Sequence, residues 1–224
     1  MNVWAIVPVK PLNRAKSRLA EVLPPEEREQ LATGMLERTI RLLLPMPEIK
    51  GVLVISRDTK ALALVRDLGA QTVQESGSPE LNKALYRATS ALRVWGAAAA
   101  LVVPADLPLL NAEDVAAIVT LGRFPSTAVL APDRREEGTK LLFVRPPGLI
   151  PYALGGPSFD EHQRLARKAG ATLHIYRSER VALDLDVPDD LFTYYQRAGL
   201  LGEPIVQHRR PEQALSDPRL QSEG

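Results

Sequence analysis

The sequence predicts an α/β fold in which helices flank a largely parallel sheet. Short apolar runs rich in β-branched residues alternate with longer amphipathic segments along most of the chain, and this alternation is typical of parallel strands joined by helical crossovers. Hydrophobic residues make up 45% and charged residues 25% of the 224 residues, which suits a globular domain with a sizeable core. We therefore expect one domain over residues 1–200. The polar, proline-containing residues 201–224 follow no period, and we expect them to form a flexible tail.

The first half of the chain predicts three strand–helix pairs and a further strand. Val3–Val7 is a continuous apolar run, so it predicts a buried strand, which we expect Pro8 to end. Pro25–Leu44 predicts a helix, because proline and glutamates occupy its first turn and leucines recur at helical spacing. The other predicted elements are the strands Val52–Ser56, Gln71–Gln74 and Ala98–Val103 and the helices Ala61–Leu68 and Leu81–Trp95.

The second half predicts shorter elements of both types. Asn111 is a good N-cap for a helix over Ala112–Leu121, and Gly170 is a good C-terminal stop for a helix over Ser158–Ala169. The remaining predicted elements are the strands Thr127–Ala131, Leu141–Val144, Thr172–Tyr176 and Val181–Leu185 and a last helix over Pro188–Arg197.

The composition excludes several classes of site and partner. The chain has no cysteine, which excludes disulfides, thiolate metal sites and cysteine nucleophiles, and its three histidines make a histidine-rich metal site improbable. The net charge of +1 argues against nucleic acid or a membrane surface as a partner. No apolar run reaches the ~18–20 residues that span a membrane, and no signal-peptide pattern opens the sequence. We expect a cytoplasmic protein, with a homodimer left open.

A basic loop follows the first predicted strand. Lys10, Arg14, Lys16 and Arg18 are the charged residues of Met1–Ala20, which contains no acidic residue. Ligands of open α/β sheets bind beyond the carboxyl ends of the strands, where lysine and arginine donors suit a polyphosphate. The loop has neither the P-loop pattern nor the dinucleotide-binding glycine pattern. Two interpretations therefore stay open, a phosphate-binding loop and a solvated basic helix start.

Aspartates follow two later predicted strands. Asp106 lies between Pro104 and Pro108 at the end of a buried strand, where it would be a hard-oxygen ligand for Mg²⁺ or a turn residue that caps the next segment. Asp184 and Asp186 alternate along their predicted strand and therefore share one face. With Asp106 they are candidate ligands for one or two Mg²⁺ ions.

Smaller features have both structural and functional interpretations. Asn82 opens the third predicted helix and either caps it or bonds a base or ribose. Thr139 and Ser158 belong to two glycine-bearing loops, which allow close backbone approach to an anion. We assign structural roles to His162 and to the aspartates 189 and 190, which open the last helix.

Six motifs, taken in order, resemble those of the CofC/FbiD family of guanylyltransferases of coenzyme F420 biosynthesis. They are VPVKPLNRAKSRL, LNKAL, VVPADLPLL, GTK, GGPSFDEH and LDLDVPDDL, within residues 3–197. Related sugar-phosphate and molybdenum-cofactor nucleotidyltransferases begin instead with a glycine-rich loop ending in R-M-G. The resemblance implies a single-domain, GT-A-type (Rossmann-like) nucleotidyltransferase fold. It also implies transfer of GMP from GTP to phosphoenolpyruvate, 2-phospho-L-lactate or 3-phospho-D-glycerate, with release of pyrophosphate.

The resemblance also implies site residues, carried over by position. Catalytic residues would be Lys10, Lys16, Arg18 and Asp106. Together with the loop and helix positions considered above, the predicted nucleotide-binding residues are Pro8, Lys10, Arg14, Lys16, Asn82, Pro104 and Asp106. Acceptor-binding residues would be Thr139, Gly155 and Ser158, and Mg²⁺ ligands would be Asp106, Asp184 and Asp186.

Two positions depart from the family pattern. Lys140 stands where the family commonly has asparagine, and Glu80 stands where it commonly has glycine. Two other functions stay open at this point. One is a nucleotidyltransferase for another acceptor, such as a sugar phosphate or molybdopterin, and the other is a GTP-binding regulator without turnover.

Overall fold

The computed structural model describes residues 1–76 and 80–201, and within them the chain forms a seven-stranded sheet flanked by helices. The strands are β1 (Val3–Val9), β2 (Ile49–Ser56), β3 (Gln71–Gln74), β4 (Ala99–Val102), β5 (Thr127–Pro132), β6 (Thr139–Arg145) and β7 (Thr172–Ile175). The helices are α1 (Pro25–Leu43), α2 (Thr59–Asp67), α3 (Leu81–Val94), α4 (Ala112–Leu121), α5 (Phe159–Lys168) and α6 (Pro188–Leu201). The α/β prediction is confirmed. The predicted tail lies outside the described residues, apart from its first residue.

The strand directions bring most of the loops that follow strands to one edge of the sheet. The spatial order is β3-β2-β1-β4-β6-β5-β7. β6 runs antiparallel to its neighbours β4 and β5, and the other pairings are parallel. The loops after β1, β2, β3 and β4 and the β5–β6 connection therefore open at the same edge, which is where ligands bind in open α/β sheets.

Alternate residues of each central strand supply two core layers. On β1, Ala5 and Val7 pack in the layer that contains α1, α2 and α4, whereas Ile6 packs in the layer that contains α3 and α5. A third apolar cluster joins α1 to α6 and includes Leu183 and Leu185. Because the sheet is covered on both faces, its central strands read as unbroken apolar runs.

The strand predicted over Val181–Leu185 is wrong. This segment begins with a turn and a bend and then has no regular secondary structure, so it does not enter the ladder. The Leu185 N–H donates to the carbonyl oxygen of Asp106 over 3.2 Å. Leu183 and Leu185 are buried in the third cluster. The alternation that suggested a strand thus reflects two leucines that pack inward from an irregular segment.

Pro8 does not end the first strand, which continues to Val9. The last β1–β4 pair is Ile6 with Val102, whereas the pairing with β2 continues to Ser56. Because the pairing with β4 has ended before Pro8, the missing N–H of this proline costs the sheet no ladder bond.

Candidate functional site

A cavity of about 640 Å³ opens at the sheet edge where the parallel strands end. Its walls include the loop after β1, the ends of β2 and β3, the loop after β4, the β5–β6 connection and the segment before α6. Eleven of the residues predicted to form the site line it, namely Pro8, Lys10, Lys16, Arg18, Pro104, Asp106, Thr139, Gly155, Ser158, Asp184 and Asp186. The fold thus brings the basic loop and the aspartates of two distant segments into one cavity.

The three candidate metal ligands converge although the strand predicted for two of them does not form. Asp106, Asp184 and Asp186 each offer a carboxylate oxygen, and these three oxygens lie within 4.8 Å of one another. Leu183 and Leu185 are buried, and the aspartate that follows each of them lines the cavity. Carboxylate oxygens grouped in this way suit a divalent cation.

Two lysines and an arginine neutralise the carboxylate triad, by which we mean Asp106, Asp184 and Asp186. Lys16 Nζ lies 3.0 Å from Asp106 Oδ2 and 3.5 Å from Asp186 Oδ1, and its side chain is only 7% exposed. Lys140 Nζ lies 2.6 Å from Asp184 Oδ2. Arg18 Nη1 lies 3.6 Å from Asp186 Oδ2. The site therefore combines three negative and three positive groups in a small volume.

The surroundings shift the pKa values of two triad members in opposite directions. Burial raises the pKa of Asp106, but the ammonium groups of Lys16 and Lys140 outweigh it, so the net pKa lies below the ordinary value. Burial also raises the pKa of Asp184, and repulsion from Asp106 and Asp186 adds to that rise. Lys140 opposes the rise without cancelling it, so the net pKa of Asp184 lies above the ordinary value.

The backbone of the basic loop aims Lys16 at the triad. The loop consists of two short 3-10 turns, Leu12–Arg14 and Ser17–Leu19, and Lys16 joins them with φ of +56°. That left-handed conformation is uncommon for a residue with a side chain and needs support from its surroundings. Buried Leu12 and Leu19 anchor the two turns. Asp58 Oδ2 also accepts the Leu12 N–H over 2.8 Å.

Two predicted nucleotide-binding residues lie outside the cavity lining. Arg14 is exposed on the first 3-10 turn. Asn82 does not cap α3, whose N-cap residue is Glu80, so the capping interpretation is wrong. Instead the Asn82 amide donates to the Leu154 carbonyl over 3.1 Å and accepts the Leu154 N–H over 3.0 Å. Asn82 thereby anchors the residue that precedes Gly155.

Thr139 and Ser158 form a buried pair beside the triad. The Thr139 N–H donates to Ser158 Oγ over 3.0 Å. Thr139 Oγ1 lies 2.8 Å from Nδ1 of His162, whose Nε2 accepts the Ala153 N–H over 3.1 Å. Because Nε2 is an acceptor, the neutral ring carries its proton on Nδ1 and donates it to Thr139. The hydroxyl hydrogen of Thr139 is then available to a ligand.

His162 has the structural character expected from its position one turn into α5. The residue is fully buried, and burial lowers its pKa from 6.5 to about 4. It is therefore a neutral residue at physiological pH with both ring nitrogens in hydrogen bonds. Asp190 is likewise structural, because its Oδ2 accepts the N–H groups of Asp186 and Val187.

Glycines and one aspartate shape the loops around the Thr139–Ser158 pair. Asp133 accepts backbone N–H groups from Arg135, Glu137 and Gly138 and so closes the β5–β6 turn. A Cβ at Gly138 would lie 2.7 Å from Asp133 Oδ2, so a larger residue there would have to displace this carboxylate. Gly155 has φ of +98°, a conformation that favours glycine.

The cavity also includes residues that the sequence did not single out. Arg57 and Glu75 directly follow β2 and β3 and line the cavity, whereas Asp106 follows β4, two and three strands away. The rule that pointed to the basic loop and Asp106 applies to them too, since both follow the carboxyl end of a parallel strand. No recognisable motif surrounds either residue, which is why the sequence alone left them unassigned.

Several solved structures share this fold. A nucleotidyl transferase from Methanothermobacter thermautotroptrophicus matches with a TM-score of 0.64 and 15% identity, over 90% of this chain and 99% of that one. The 4-diphosphocytidyl-2C-methyl-D-erythritol synthase of Anaerococcus prevotii matches with a TM-score of 0.56 and 11% identity, over 88% of this chain and 98% of that one. At these identities the likeness establishes the fold.

Sequence relatives define the family. The phosphoenolpyruvate guanylyltransferase of Rubrobacter xylanophilus is 39% identical over 204 residues, covering 91% of this chain and 98% of that protein. The 2-phospho-L-lactate guanylyltransferase of Methanocaldococcus infernus is 33% identical over 186 residues, covering 83% of this chain and 81% of that protein. The family described as guanylyl transferase, CofC like, matches residues 3–195. The chain therefore belongs to the CofC-like guanylyl transferase family.

Proposed function

We propose that this protein transfers GMP from GTP to a small phosphorylated three-carbon acid and releases pyrophosphate, as a step of coenzyme F420 biosynthesis. The candidate acceptors are phosphoenolpyruvate, 2-phospho-L-lactate and 3-phospho-D-glycerate. The observation that carries the proposal is the single cavity in which a carboxylate triad meets a basic loop and a pair of buried hydroxyls. Relatives named for guanylyl transfer to two of these acceptors support the same reaction.

Asp106, Asp184 and Asp186 fit a divalent cation, which we propose is Mg²⁺. Their three oxygens converge within 4.8 Å, and they draw three basic side chains towards them. When bound, the cation would neutralise phosphate oxygens and help to orient the reacting groups.

The basic loop would bind the triphosphate. Lys10, Lys16 and Arg18 line the cavity, and the last two contact carboxylates of the triad. Their positive charges would oppose the repulsion between two anionic substrates. Arg14, exposed on the same loop, would add to the attraction without lining the cavity. Pro8 and Pro104 line the same cavity and would stiffen the ends of the two central strands near the bound phosphates.

Thr139, Gly155 and Ser158 would bind the acceptor. The hydroxyl hydrogen of Thr139 is available to an anionic oxygen, and Ser158 stands at the N-terminus of α5, where the helix dipole favours negative charge. An oxygen of the acceptor phosphate would attack the α-phosphorus of GTP in line with the departing pyrophosphate. This oxygen is already anionic at neutral pH, so no general base is required, in agreement with the neutral, fully bonded His162.

The test is pyrophosphate release by the purified protein with Mg²⁺, each of the four ribonucleoside triphosphates and each of the three acceptors. Release that needs both GTP and one of these acceptors is the expected result. No turnover with any acceptor would overturn the proposal, and GTP binding without turnover would indicate a regulator. A sugar phosphate or molybdopterin as the accepted substrate would instead identify another nucleotidyltransferase.

Replacing Asp106 tests the carboxylate triad directly. Asp106→Asn should abolish turnover while the thermal unfolding midpoint stays near that of the unchanged protein. The matched control is Asp67→Asn, which makes the same change on the exposed end of α2 and should retain full turnover. Retained turnover in Asp106→Asn would remove this residue from the metal-binding role.

A further inference from the structure

We infer that Arg57 and Glu75 together recognise the guanine base, with Glu75 accepting from its N1–H and 2-amino groups and Arg57 donating to its O6 and N7. The inference deepens the proposed function and rests on it, since it assigns the nucleotide specificity of the same cavity. Neither residue belongs to the triad or to the basic loop.

The sheet holds the two residues side by side. Ser56 and Gln74 are paired at the ends of the parallel strands β2 and β3. Arg57 and Glu75 come next along each strand, and the Glu75 N–H donates to the Ser56 carbonyl over 2.8 Å. This bond extends the β2–β3 ladder by one residue, so the side chains of Arg57 and Glu75 extend from backbone that the sheet holds in place.

Arg57 has buried donors that other described residues do not use. Its Nε lies 3.5 Å from Glu75 Oε2, but neither Nε nor Nη2 has a hydrogen-bond partner within residues 1–76 and 80–201, although both atoms are buried. The Arg57 side chain is 28% exposed and that of Glu75 is 12% exposed. Unsatisfied buried donors are costly and rare, and these belong to a residue that lines the cavity. They call for an acceptor supplied by a ligand.

An adjacent carboxylate and guanidinium are complementary to guanine. The N1–H and 2-amino donors of guanine lie next to its O6 acceptor, and N7 follows as a second acceptor. Arginine pairs with O6 and N7 of guanine in many protein–nucleic acid complexes, and a carboxylate can accept from both donors. Adenine lacks the 2-amino group and has an amino donor where guanine has O6. That amino group would face the guanidinium donors of Arg57, and the two could not form a hydrogen bond.

The neighbouring residues suit a purine ring. Ile55, Leu81 and Ala84 line the same cavity and come from the end of β2 and the first turn of α3. Leu81 is unusually exposed for a large apolar side chain, at 38%. An exposed apolar side chain beside convergent polar groups is typical of a ligand pocket.

The distance across the sheet also suits a nucleotide. Arg57 and Glu75 follow β2 and β3, whereas the basic loop and Asp106 follow β1 and β4, in the spatial order β3-β2-β1-β4. Adjacent strands lie ~4.8 Å apart, so two to three spacings separate the proposed base site from the triad, about 10–14 Å. A nucleoside laid across the strand ends would extend its phosphates to the basic loop.

The experiment measures two variants, Glu75→Gln and Arg57→Gln, each with two nucleotides, GTP and inosine triphosphate. Inosine triphosphate retains O6 and N7 but lacks the 2-amino group, so it removes one bond to Glu75 and none to Arg57. For the unchanged protein we expect kcat/KM to be at least ~10-fold higher with GTP than with inosine triphosphate, as a charge-assisted hydrogen bond implies. In Glu75→Gln that ratio should fall to about 3-fold or less. In Arg57→Gln both values should fall by ~10-fold while their ratio stays as in the unchanged protein.

Controls separate recognition from folding. Glu161→Gln removes an exposed arginine–glutamate pair on α5 and should leave both kcat/KM values unchanged. Glu75→Asp keeps the carboxylate and should restore part of the preference for GTP. A 10-fold preference for GTP retained in a folded Glu75→Gln protein, or an Arg57→Gln protein with unchanged kcat/KM, would overturn the inference.

Calorimetric binding of the same two nucleotides, without acceptor, distinguishes this failure from failure of the proposed function. A protein that turns over GTP with a preference insensitive to Glu75 would retain the function and refute the base assignment. Suppose instead that the protein shows no turnover, binds GTP more tightly than inosine triphosphate, and loses this difference in Glu75→Gln. That result would support the base assignment and refute the proposed function.

Discussion

At the scale of single residues, the charge balance inside the cavity depends on Lys140. Its ammonium group lies 2.6 Å from Asp184 Oδ2 and is only 19% exposed at the side chain. A cation that binds the triad must compete with this ammonium group for the Asp184 carboxylate. If the triad binds a divalent metal as proposed, Lys140 would therefore lower its affinity for that metal.

Lys140→Asn should tighten the binding of divalent cations. Loss of one charge-assisted pair, worth ~1.5 kcal/mol, corresponds to about 10-fold in affinity. The measurement is an Mn²⁺ titration followed by electron paramagnetic resonance, without substrates. Lys60→Asn, a change of an exposed lysine at the start of α2, is the matched control and should not alter the titration. Equal or weaker Mn²⁺ binding by Lys140→Asn would contradict this account.

The second residue-scale prediction concerns His162 and acid. The pKa is lowered from 6.5 to about 4 by burial, so between these values the unfolded chain binds a proton that the folded chain excludes. The stability therefore falls as pH falls through this window, by about 3 kcal/mol in total from this group. His162→Gln removes the titration and should show a correspondingly smaller fall.

Urea unfolding at a series of pH values between 4 and 8.5 measures this effect. Above pH 7.5 the two proteins should show parallel pH dependence, which serves as the internal control, although the variant should be less stable because its bonds to Thr139 and Ala153 are altered. If the free energy of unfolding fell equally in both proteins between pH 6.5 and 4, His162 would not be the responsible group.

At the scale of elements, the connection from β7 to α6 positions two of the three aspartates of the triad. Asp114, fully buried at the start of α4, accepts hydrogen bonds from Tyr176, Ser178 and Arg180. Burial raises the pKa of Asp114, but these bonds outweigh it and leave the pKa below its ordinary value. One carboxylate thus fixes the beginning of the segment that continues to Asp184 and Asp186.

Asp114→Asn should weaken this connection. The change leaves the exposed Glu113 as the remaining charged partner of Arg180 among the described residues. Since the Arg180 side chain is 41% exposed, we expect a loss of about 2 kcal/mol, less than the 3–5 kcal/mol of a fully buried pair. Turnover should fall as well, because the two aspartates lose their fixed position. Urea unfolding and pyrophosphate release measure the two effects.

Glu113→Gln is the matched control for Asp114. Glu113 lies 3.6 Å from the same arginine, but its side chain is 83% exposed. Its loss should change the free energy of unfolding by no more than about 0.5 kcal/mol. Equal losses in the two variants would mean that burial does not decide the strength of these contacts.

At the scale of the whole molecule, a near-neutral chain concentrates its charge at one edge of the sheet. The net charge is +1, yet the cavity combines a basic loop with three aspartates. None of the helices in residues 1–76 and 80–201 is long and apolar enough to span a membrane. Because segments distant along the chain meet at this edge, ligand binding there should couple to the stability of the entire fold.

GTP with Mg²⁺ should raise the thermal midpoint. At a hundred times its Kd, a ligand that binds only the folded state adds ~2.7 kcal/mol, which shifts the midpoint of a chain of this size by about 5–10 °C. Differential scanning calorimetry measures the shift, and EDTA should remove most of it. Stabilisation that persists unchanged in Asp106→Asn with EDTA would argue against the cavity as the GTP site.

Agreement between sequence and structure is best where the signal is local. The helix over Ala112–Leu121 has the predicted bounds, and Asn111 caps it. β3 also has the predicted bounds, and both follow from residues adjacent in sequence. The strand predicted over Val181–Leu185, before α6, was wrong. Alternating buried and exposed residues occur in strands, but also in irregular segments that pack two leucines into a core.

By itself the sequence determined the order of strands and helices, apart from the strand wrongly predicted over Val181–Leu185, and it located the basic loop after β1 and the aspartate after β4. These follow from hydrophobic periodicity and from which residue types stand where an apolar run ends. Only the tertiary structure decided that Asp184 and Asp186 meet Asp106, that Asn82 holds Leu154, and that Arg57 lies beside Glu75. Periodicity encodes which face of an element is buried. The spatial order of the strands depends on packing between distant segments, which no local pattern specifies.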